Sequence, residues 1–200
     1  VTLDWNEKIL KNKKIHALFV NSGNANTFTG VHGKKSVKSI VDRIKKIYSI
    51  NDQNIFVAST GVIGEKFPVN QVLKVISQQQ EARDWIRSAK AIMTTDTFPK
   101  GISLTSIIEG KKVTITGISK GSGMIEPNMA TMLGFIFIDA DIRSEILEKI
   151  LKNNVINSFN SISVDGDEST NDTVILASSR LVKFKKPIKS ITDKRIIDLN

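Results

Sequence analysis

Hydrophobic positions along the chain change their spacing from segment to segment, and each spacing predicts one kind of element. Apolar residues three and four positions apart run from Val37 to Tyr48 and leave the basic and acidic residues on the other face, which predicts an amphipathic helix beginning at Ser36. Short, mostly apolar runs bounded by turn residues predict four strands, at Ile15 to Val20, Ile55 to Ala58, Met132 to Ile138 and Thr173 to Ser178.

Other segments complete a mixed pattern. Two loosely alternating runs, at 102–109 and 112–118, flank Gly110-Lys111 and predict a β-hairpin. Helical spacing returns in three places: after Pro68, from Glu81 to Met93 with Trp85, Ile86 and Ala89 on one face, and from Arg143 to Val155 with Asp141 or Ser144 as its cap. Val1 to Lys14 is polar and has no clear period, whereas 191–200 resembles a helix start. Strands and helices mix without regular βαβ spacing, so we expect a mixed α/β (α+β) fold with a partly antiparallel sheet.

Composition narrows the class of protein. With 200 residues, of which 40% are hydrophobic, the chain can bury one large core or two small ones. It has no cysteine, which excludes disulfides and thiolate chemistry and is typical of a reducing compartment. We find no apolar run long enough to span a membrane and no signal segment at Val1 to Leu10, so we expect a soluble, cytoplasmic protein.

The net charge of +9 raises the question of nucleic acid as a partner. The lysines are dispersed, however, and aromatic residues make up only 6% of the chain, without the basic and aromatic mixture of a single-strand platform. We therefore expect anionic small molecules such as carboxylates as ligands, and no nucleic acid. A basic binding module without catalysis remains the alternative from a different class.

The most informative stretch is KGSGMIEPNMATMLGFIFIDA, from Lys120 to Ala140. Its first half is rich in glycine and other turn residues, and its second half is the predicted strand from Met132. Thr131 lies at the junction, where it is either an ordinary strand residue or a reactive hydroxyl that needs a specified backbone before it. If the Ala130–Thr131 bond were cut, Thr131 would carry both a nucleophilic hydroxyl and an α-amine, whose pKa of roughly 7.7–8.0 suits a general base.

Three further features are open to a structural and a functional interpretation. Thr60-Gly61 follows the strand at Ile55 and forms either a plain turn or a pair of donors for a developing oxyanion. The cluster from Thr94 to Thr97 either caps a helix end or binds a ligand. Lys120 is either a solvated charge or a partner for an acyl or carboxylate oxygen. Asp165 and the polar residues after it imitate an EF-hand loop but lack its glycine and its bidentate glutamate, so calcium is not expected.

Five ordered blocks of the sequence resemble the ornithine acetyltransferase family, also called the bifunctional glutamate N-acetyltransferase or ArgJ family. They are NSGNANTFTG (21–30), STGVIGEKFP (59–68), AIMTTDTFPK (91–100), the Thr131 stretch with its KGSGMI, PNM and ATML, and SFNSISVDGDESTNDT (158–173). The family is longer at both ends. It also carries a later glutamate and C-terminal Asn and Thr ligands that this chain lacks.

The resemblance implies the layered αββα fold of N-terminal-nucleophile proteins, in a partial chain. It implies self-cleavage between Ala130 and Thr131, which would divide the sequence into an α-chain portion, 1–130, and the start of a β-chain, 131–200. Thr131 would take the acetyl group from N2-acetylornithine and pass it to glutamate, as a step of arginine biosynthesis. Thr60 and Gly61 would form the oxyanion hole.

The resemblance also assigns substrate binding to Lys120, Thr131 and Thr94, with Thr95 as the alternative to Thr94. It implies no metal and no organic cofactor, leaves acetyl-CoA open as a second acetyl donor, and suggests an α2β2 assembly of the cleaved chains. Within enzymes, an N-terminal-threonine amidase or aminopeptidase of similar fold is the alternative, since the sequence does not tell whether water reaches the acyl-enzyme.

Overall fold

The computed structural model describes residues 1–78, 84–123, 132–164 and 169–197, and it divides the chain into two compact units. Unit 1 covers Val1–Asp96 and contains α1 (Thr2–Leu10), β1 (Ala17–Asn21), α2 (Gly30–Tyr48), β2 (Ile55–Ser59), α3 (Val69–Gln78) and α4 (Trp85–Ala91). Unit 2 covers Thr97–Asn200 and contains β3 (Lys100–Ile108), β4 (Lys111–Lys120), β5 (Leu133–Ala140), α5 (Ser144–Ile156), β6 (Thr173–Val182) and α6 (Lys194–Ile197).

Unit 1 is built on two parallel strands, β1 and β2, with Ala17 opposite Ile55 and Asn21 opposite Ser59. The apolar face of α2 packs on them because its three- and four-residue spacing brings its hydrophobic side chains to one side. Its buried residues Val37, Ile40, Val41 and Ile44 join Ile55 and Val57 of β2 in one core cluster. The helix begins at Gly30, six residues before the predicted start at Ser36.

The helix α1 was not predicted, because side-chain hydrogen bonds to the β2 backbone hold it as much as apolar packing does. The buried Asn6 donates from Nδ2 to the Val57 carbonyl (2.8 Å) and accepts the Val57 N–H at Oδ1 (2.9 Å). Trp5 donates its indole N–H to the Ile55 carbonyl (2.9 Å). Polar residues that bind a strand edge give no apolar period, so the pattern of this segment did not predict a helix.

Unit 2 has a four-stranded sheet in the order β3-β4-β5-β6. The predicted hairpin is confirmed as the antiparallel pair β3–β4, although its turn residues are Glu109 and Gly110, both with positive φ. β4 and β5 are antiparallel, and β5 and β6 are parallel. The main core lies at one end of this sheet, where Val113, Ile138, Ala140, Ile142, Ile146 and Ile188 are all buried.

The mixed α/β class is confirmed, with three local corrections. The α4 helix begins at Trp85 with Asp84 as its cap, and residues 79–83 lie outside the described part of the chain. Trp85 and Ile86 are exposed, whereas Ala89 is buried as predicted. The cap of α5 is Arg143, without a side-chain hydrogen bond, so neither Asp141 nor Ser144 caps it.

Candidate active site

The predicted site residues fall in both units. Thr60, Gly61 and Thr94 belong to unit 1, and Lys120 belongs to unit 2. Ala130 and Thr131 lie outside the described residues, so the geometry of the predicted nucleophile is not part of the structure. What the structure does describe is the surroundings of the other residues and of Met132, which follows Thr131 directly in the chain.

The carboxyl ends of β1 and β2 bring two of the five sequence blocks together. Because the strands are parallel, both leave the sheet at the same edge, where α/β proteins usually bind ligands. Three backbone hydrogen bonds then join the loops: Thr60 N–H to Asn21 O (3.1 Å), Val62 N–H to Gly23 O (3.3 Å) and Ala25 N–H to Val62 O (2.9 Å). We call residues 21–25 and 60–62 the paired loops.

Gly61 is required by the geometry of the paired loops. Its φ of +127° is a conformation that residues with a side chain rarely adopt, and a Cβ at this position would lie under 3.0 Å from backbone atoms of Gly23 and Asn24. The hydrogen bonds that join the two loops use the N–H groups of Thr60, Val62 and Ala25, and not that of Gly61. The backbone at Gly61 therefore approaches its neighbour closely without using its own N–H in that contact.

The Thr60 hydroxyl has no hydrogen-bond partner among the described residues, although the side chain is fully buried (0% exposed). The backbone N–H of Thr60 already donates to the Asn21 carbonyl, so the side-chain hydroxyl is its remaining hydrogen-bond donor. A buried polar group without a partner costs about 1–3 kcal/mol, and such groups are found where a ligand or a reaction uses them. Asn24 Oδ1, in the facing loop, likewise has no partner within the described part of the chain.

The other residues of the first block hold the loops in place. Asn26 is buried, accepts the Thr29 hydroxyl at 2.6 Å and donates from Nδ2 to the Gly33 carbonyl at 3.2 Å. Its own N–H donates to the Ser59 hydroxyl oxygen (3.0 Å). These contacts link the loop to α2 and to the end of β2, which is a structural role.

The segment that contains Thr94 follows α4 and lies near the same loops. The Ser22 hydroxyl donates to the Ala91 carbonyl at the end of α4 (2.6 Å), which ties this helix end to the first loop. Thr94 is exposed, and its N–H donates to Oδ2 of the buried Asp96 (3.2 Å). The structure thus gives Asp96 a turn-forming role and leaves the Thr94 side chain accessible.

Lys120 is not a solvated surface charge, because its side chain is only 4% exposed. It is the last residue of β4 and pairs with Leu133, the first residue of β5. Leu133 pairs in turn with Thr173, the first residue of β6. One row across the sheet therefore places Lys120 beside the first residue of β5, and its charge acts on Asp172 at the start of β6.

Asp172 lies beside Met132 in unit 2, and the sequence analysis did not single it out. It is 4% exposed, and its Oδ1 accepts the Met132 N–H at 2.6 Å, while Oδ2 has no partner among the described residues. Burial raises the pKa of this carboxyl to about 7, against the opposing effects of the Met132 hydrogen bond and of the Lys120 charge. We call Asp172, Met132 and Lys120 the strand-entry cluster.

The sequence signal for Asp172 was weak but present. It lies in the fifth matching block, directly before the strand β6, in a run of polar residues that indicated only a loop near the site. The parallel pairing of β5 with β6 carries it to Met132, forty positions earlier in the chain. Pairing of strands that are distant in sequence cannot be read from local periodicity.

The described residues contain no group of three or more His, Cys, Asp or Glu side chains placed to hold a metal ion. Within the same residues, no helix is both long enough and apolar enough to cross a membrane.

Comparison with known proteins places these residues in a family. The model of the ArgJ family matches residues 1–196. The arginine biosynthesis bifunctional protein ArgJ of Caldanaerobacter subterraneus is 44% identical over 178 residues, which cover 88% of this chain and 44% of that protein. The protein of the same name from Brucella suis is 40% identical over 201 residues, or 98% of this chain and 49% of the relative. The chain spans about half the length of the curated relatives it matches.

Solved structures agree with the sequence match. The crystal structure of the ArgJ protein from Bacillus halodurans has a TM-score of 0.60 and 32% identity, covering 66% of this chain and 69% of that one. The ornithine acetyltransferase of Mycobacterium tuberculosis, solved in complex with ornithine, has a TM-score of 0.54 and 25% identity over 66% of this chain and 70% of its own. These likenesses confirm the predicted fold class of the N-terminal-nucleophile type, and the chain belongs to the ArgJ family.

Proposed function

We propose that this chain is part of an acetyltransferase that moves the acetyl group of N2-acetylornithine to glutamate through an ester on Thr131. The observation that carries the proposal is the strand-entry cluster, a buried lysine and a buried carboxyl at the residue after Thr131, in a chain of the ArgJ family. Burying two ionisable groups beside the start of a strand is costly, and active sites are places where such groups are concentrated. Metal ions have no part in the proposed reaction.

Self-cleavage between Ala130 and Thr131 is the first step that we propose. It divides the chain into an α portion, 1–130, and the start of a β portion, 131–200, and gives Thr131 a free α-amine. The amine then takes the hydroxyl proton, and the alkoxide attacks the acetyl carbonyl of the donor. Departure of ornithine leaves the acetyl ester, which the amino group of glutamate attacks in the second half-reaction.

The paired loops suit the role of oxyanion hole in both half-reactions. The Thr60 hydroxyl is a donor without a partner among the described residues, and the Gly61 N–H is not used in joining the loops. Two such donors stabilise the negative oxygen of a tetrahedral intermediate. Lys120 and the accessible Thr94 are proposed to bind substrate, the lysine through a carboxylate or acyl oxygen.

The names of the relatives support the substrates and the setting. Ornithine is the ligand in the solved acetyltransferase of Mycobacterium tuberculosis, and arginine biosynthesis is named in the curated relatives. An α2β2 assembly of the cleaved chains and a cytoplasmic location are parts of the same proposal, although one relative, from Dictyostelium discoideum, is named as mitochondrial. Acetyl-CoA is kept in the proposal as a second acetyl donor to be tested. We do not expect nucleic acid as a partner.

The test uses intact mass spectrometry and N-terminal sequencing of the complete gene product. We expect two chains, the second beginning Thr-Met-Leu-Gly, in the wild type, and a single chain in Thr131→Ala, which lacks the hydroxyl. Thr131→Ser keeps a hydroxyl and should still cleave, more slowly. Efficient cleavage of the alanine variant would remove Thr131 as the nucleophile.

Product analysis then separates a transferase from a hydrolase of the same fold. The cleaved wild type is given N2-acetylornithine with and without glutamate, and both products are quantified. We expect N-acetylglutamate to form in proportion to ornithine, with ping-pong kinetics. Free acetate at the same rate with or without glutamate would assign the chain to the amidases or aminopeptidases.

A further inference from the structure

Asp172 binds the backbone nitrogen of Met132, the residue that follows Thr131 in the sequence. The Met132 nitrogen, which donates to Asp172 Oδ1 at 2.6 Å, is covalently bonded to the carbonyl carbon of Thr131. The Met132 carbonyl is held as well, since it accepts the Thr173 N–H at 3.1 Å. The segment that begins β6 therefore holds both the N–H and the carbonyl of Met132, directly before β5.

The second carboxyl oxygen of Asp172 is buried and uncommitted. No described residue donates to Oδ2, and the whole side chain is 4% exposed. The charge that acts on this carboxyl is that of Lys120 at the end of β4, and the Met132 N–H, directly before β5, acts on it as a hydrogen-bond donor. Burial raises the pKa of the carboxyl to about 7, so the group exchanges its proton near neutral pH.

Self-cleavage needs a proton acceptor that the cleaved enzyme does not need. In the mature form the α-amine of Thr131 takes the proton of its own hydroxyl. Before cleavage that nitrogen is an amide, which is not basic, so another group has to act. The hydroxyl oxygen of Thr131 is four covalent bonds from the Met132 nitrogen, and Asp172 is hydrogen-bonded to that same nitrogen.

We propose that Asp172 assists self-cleavage, positioning the Met132 amide with one carboxylate oxygen and accepting the Thr131 hydroxyl proton with the other. The Thr131 oxygen forms a bond to the Ala130 carbonyl carbon, and the bond from that carbon to the Thr131 nitrogen breaks. Asp172 returns the proton to the departing nitrogen, which becomes the α-amine, and water hydrolyses the resulting ester. This inference rests on the proposed function, because it requires that Thr131 cleaves its own chain.

The experiment follows cleavage in the complete gene product after cell-free synthesis, by quenching samples over time at pH 5.5 to 8.5. Asp172→Asn keeps an oxygen for the Met132 N–H but cannot accept a proton. Asp139→Asn is the matched control, because Asp139 belongs to the same sheet, on β5, and its Oδ1 also accepts a backbone N–H, that of Thr114, at 2.9 Å. Thermal unfolding of each variant monitors the fold.

We expect wild-type cleavage to accelerate as pH rises through about 7. Asp172→Asn should cleave about 100-fold more slowly, the usual effect of losing a general base, and without that rise. Asp139→Asn should keep the wild-type rate and profile. A purely structural role for Asp172 would lower thermal stability and leave the shape of the pH profile unchanged.

The outcomes separate this inference from the proposed function. Wild-type rate and pH profile in a folded Asp172→Asn variant would overturn the role of Asp172 and leave Thr131 as the nucleophile. If the variant does not fold, the wild-type profile decides, because a rate without an ionisation near 7 would overturn the inference. An uncleaved wild type, or cleavage in Thr131→Ala, would overturn both.

Discussion

The paired loops of unit 1 and the strand-entry cluster of unit 2 both leave a buried oxygen without a partner among the described residues. They differ in the charge of the groups that form them. The paired loops are joined by backbone hydrogen bonds, and their unpartnered oxygen at Thr60 belongs to a neutral hydroxyl. The strand-entry cluster is built from a buried ammonium and a buried carboxyl. A neutral donor keeps the same form at every physiological pH, whereas a buried carboxyl changes its charge with pH.

The difference makes each region suited to a separate task. Fixed, uncharged donors are suited to stabilising the negative oxygen of a tetrahedral intermediate, because they need no reorganisation during the reaction. A carboxyl whose pKa is raised to about 7 is suited to moving protons, and it makes the stability of unit 2 depend on pH.

The strand-entry cluster should make the wild type lose stability as pH rises. The Asp172 pKa is raised from 3.8 to about 7 in the folded chain, so the folded state binds the proton more tightly. The resulting stabilisation is complete below pH 4 and is lost as pH rises through 7. Three pKa units correspond to about 4 kcal/mol in the free energy of unfolding.

Chemical denaturation of wild type and Asp172→Asn from pH 4 to 8 measures this effect. The difference between their unfolding free energies should change with pH, because the asparagine does not titrate. Other carboxylates titrate in both proteins and cancel in the difference. A difference that is constant with pH would mean that Asp172 is ionised throughout, with an ordinary pKa.

The Thr60 hydroxyl should matter for the reaction and not for the fold. Thr60→Val keeps the shape of the side chain and removes a hydroxyl that has no partner among the described residues, so stability should be unchanged or slightly higher. Loss of one oxyanion donor should lower kcat for acetyl transfer about 100-fold, or by about 3 kcal/mol.

Ser59 provides the control for Thr60, one residue earlier in the chain. Its hydroxyl oxygen accepts the Asn26 N–H, so Ser59→Ala leaves a buried N–H unpaired and should cost about 1–2 kcal/mol of stability with little effect on kcat. Acetyl transfer at the wild-type rate in Thr60→Val would exclude the hydroxyl from the oxyanion hole.

Gly61→Ala should damage the paired loops through backbone geometry alone. The alanine would need a φ of +127° and would place its Cβ against Gly23 and Asn24, so we expect a loss of about 2–3 kcal/mol. Gly64→Ala is the control, since Gly64 has a positive φ of 82° but open space around it, and should lose only about 1 kcal/mol. Equal losses in thermal denaturation would show that the close approach at Gly61 has no energetic weight.

Much of the fold was predictable from local pattern. The spacing of apolar residues indicated α2 and the strands β1, β2, β5 and β6, and the Gly110 turn indicated the hairpin. Two of the misses share one cause. Trp85 and Ile86 have helical spacing but are exposed, and α1 is held by Asn6 to the β2 backbone, because burial and long-range hydrogen bonds depend on neighbours distant in sequence.

The candidate site divides in the same way. By itself the sequence determined the family and singled out Thr131, Thr60, Gly61, Thr94 and Lys120 as site residues to be tested, because those inferences depend on residue types in order. Only the tertiary structure decided that Lys120 is buried, that the Thr60 hydroxyl has no partner among the described residues and that Asp172 lies beside Met132. The physical reason is strand pairing: it brings Asp172 to Met132 and removes the carboxyl from water, and both effects exist only once the sheet has formed.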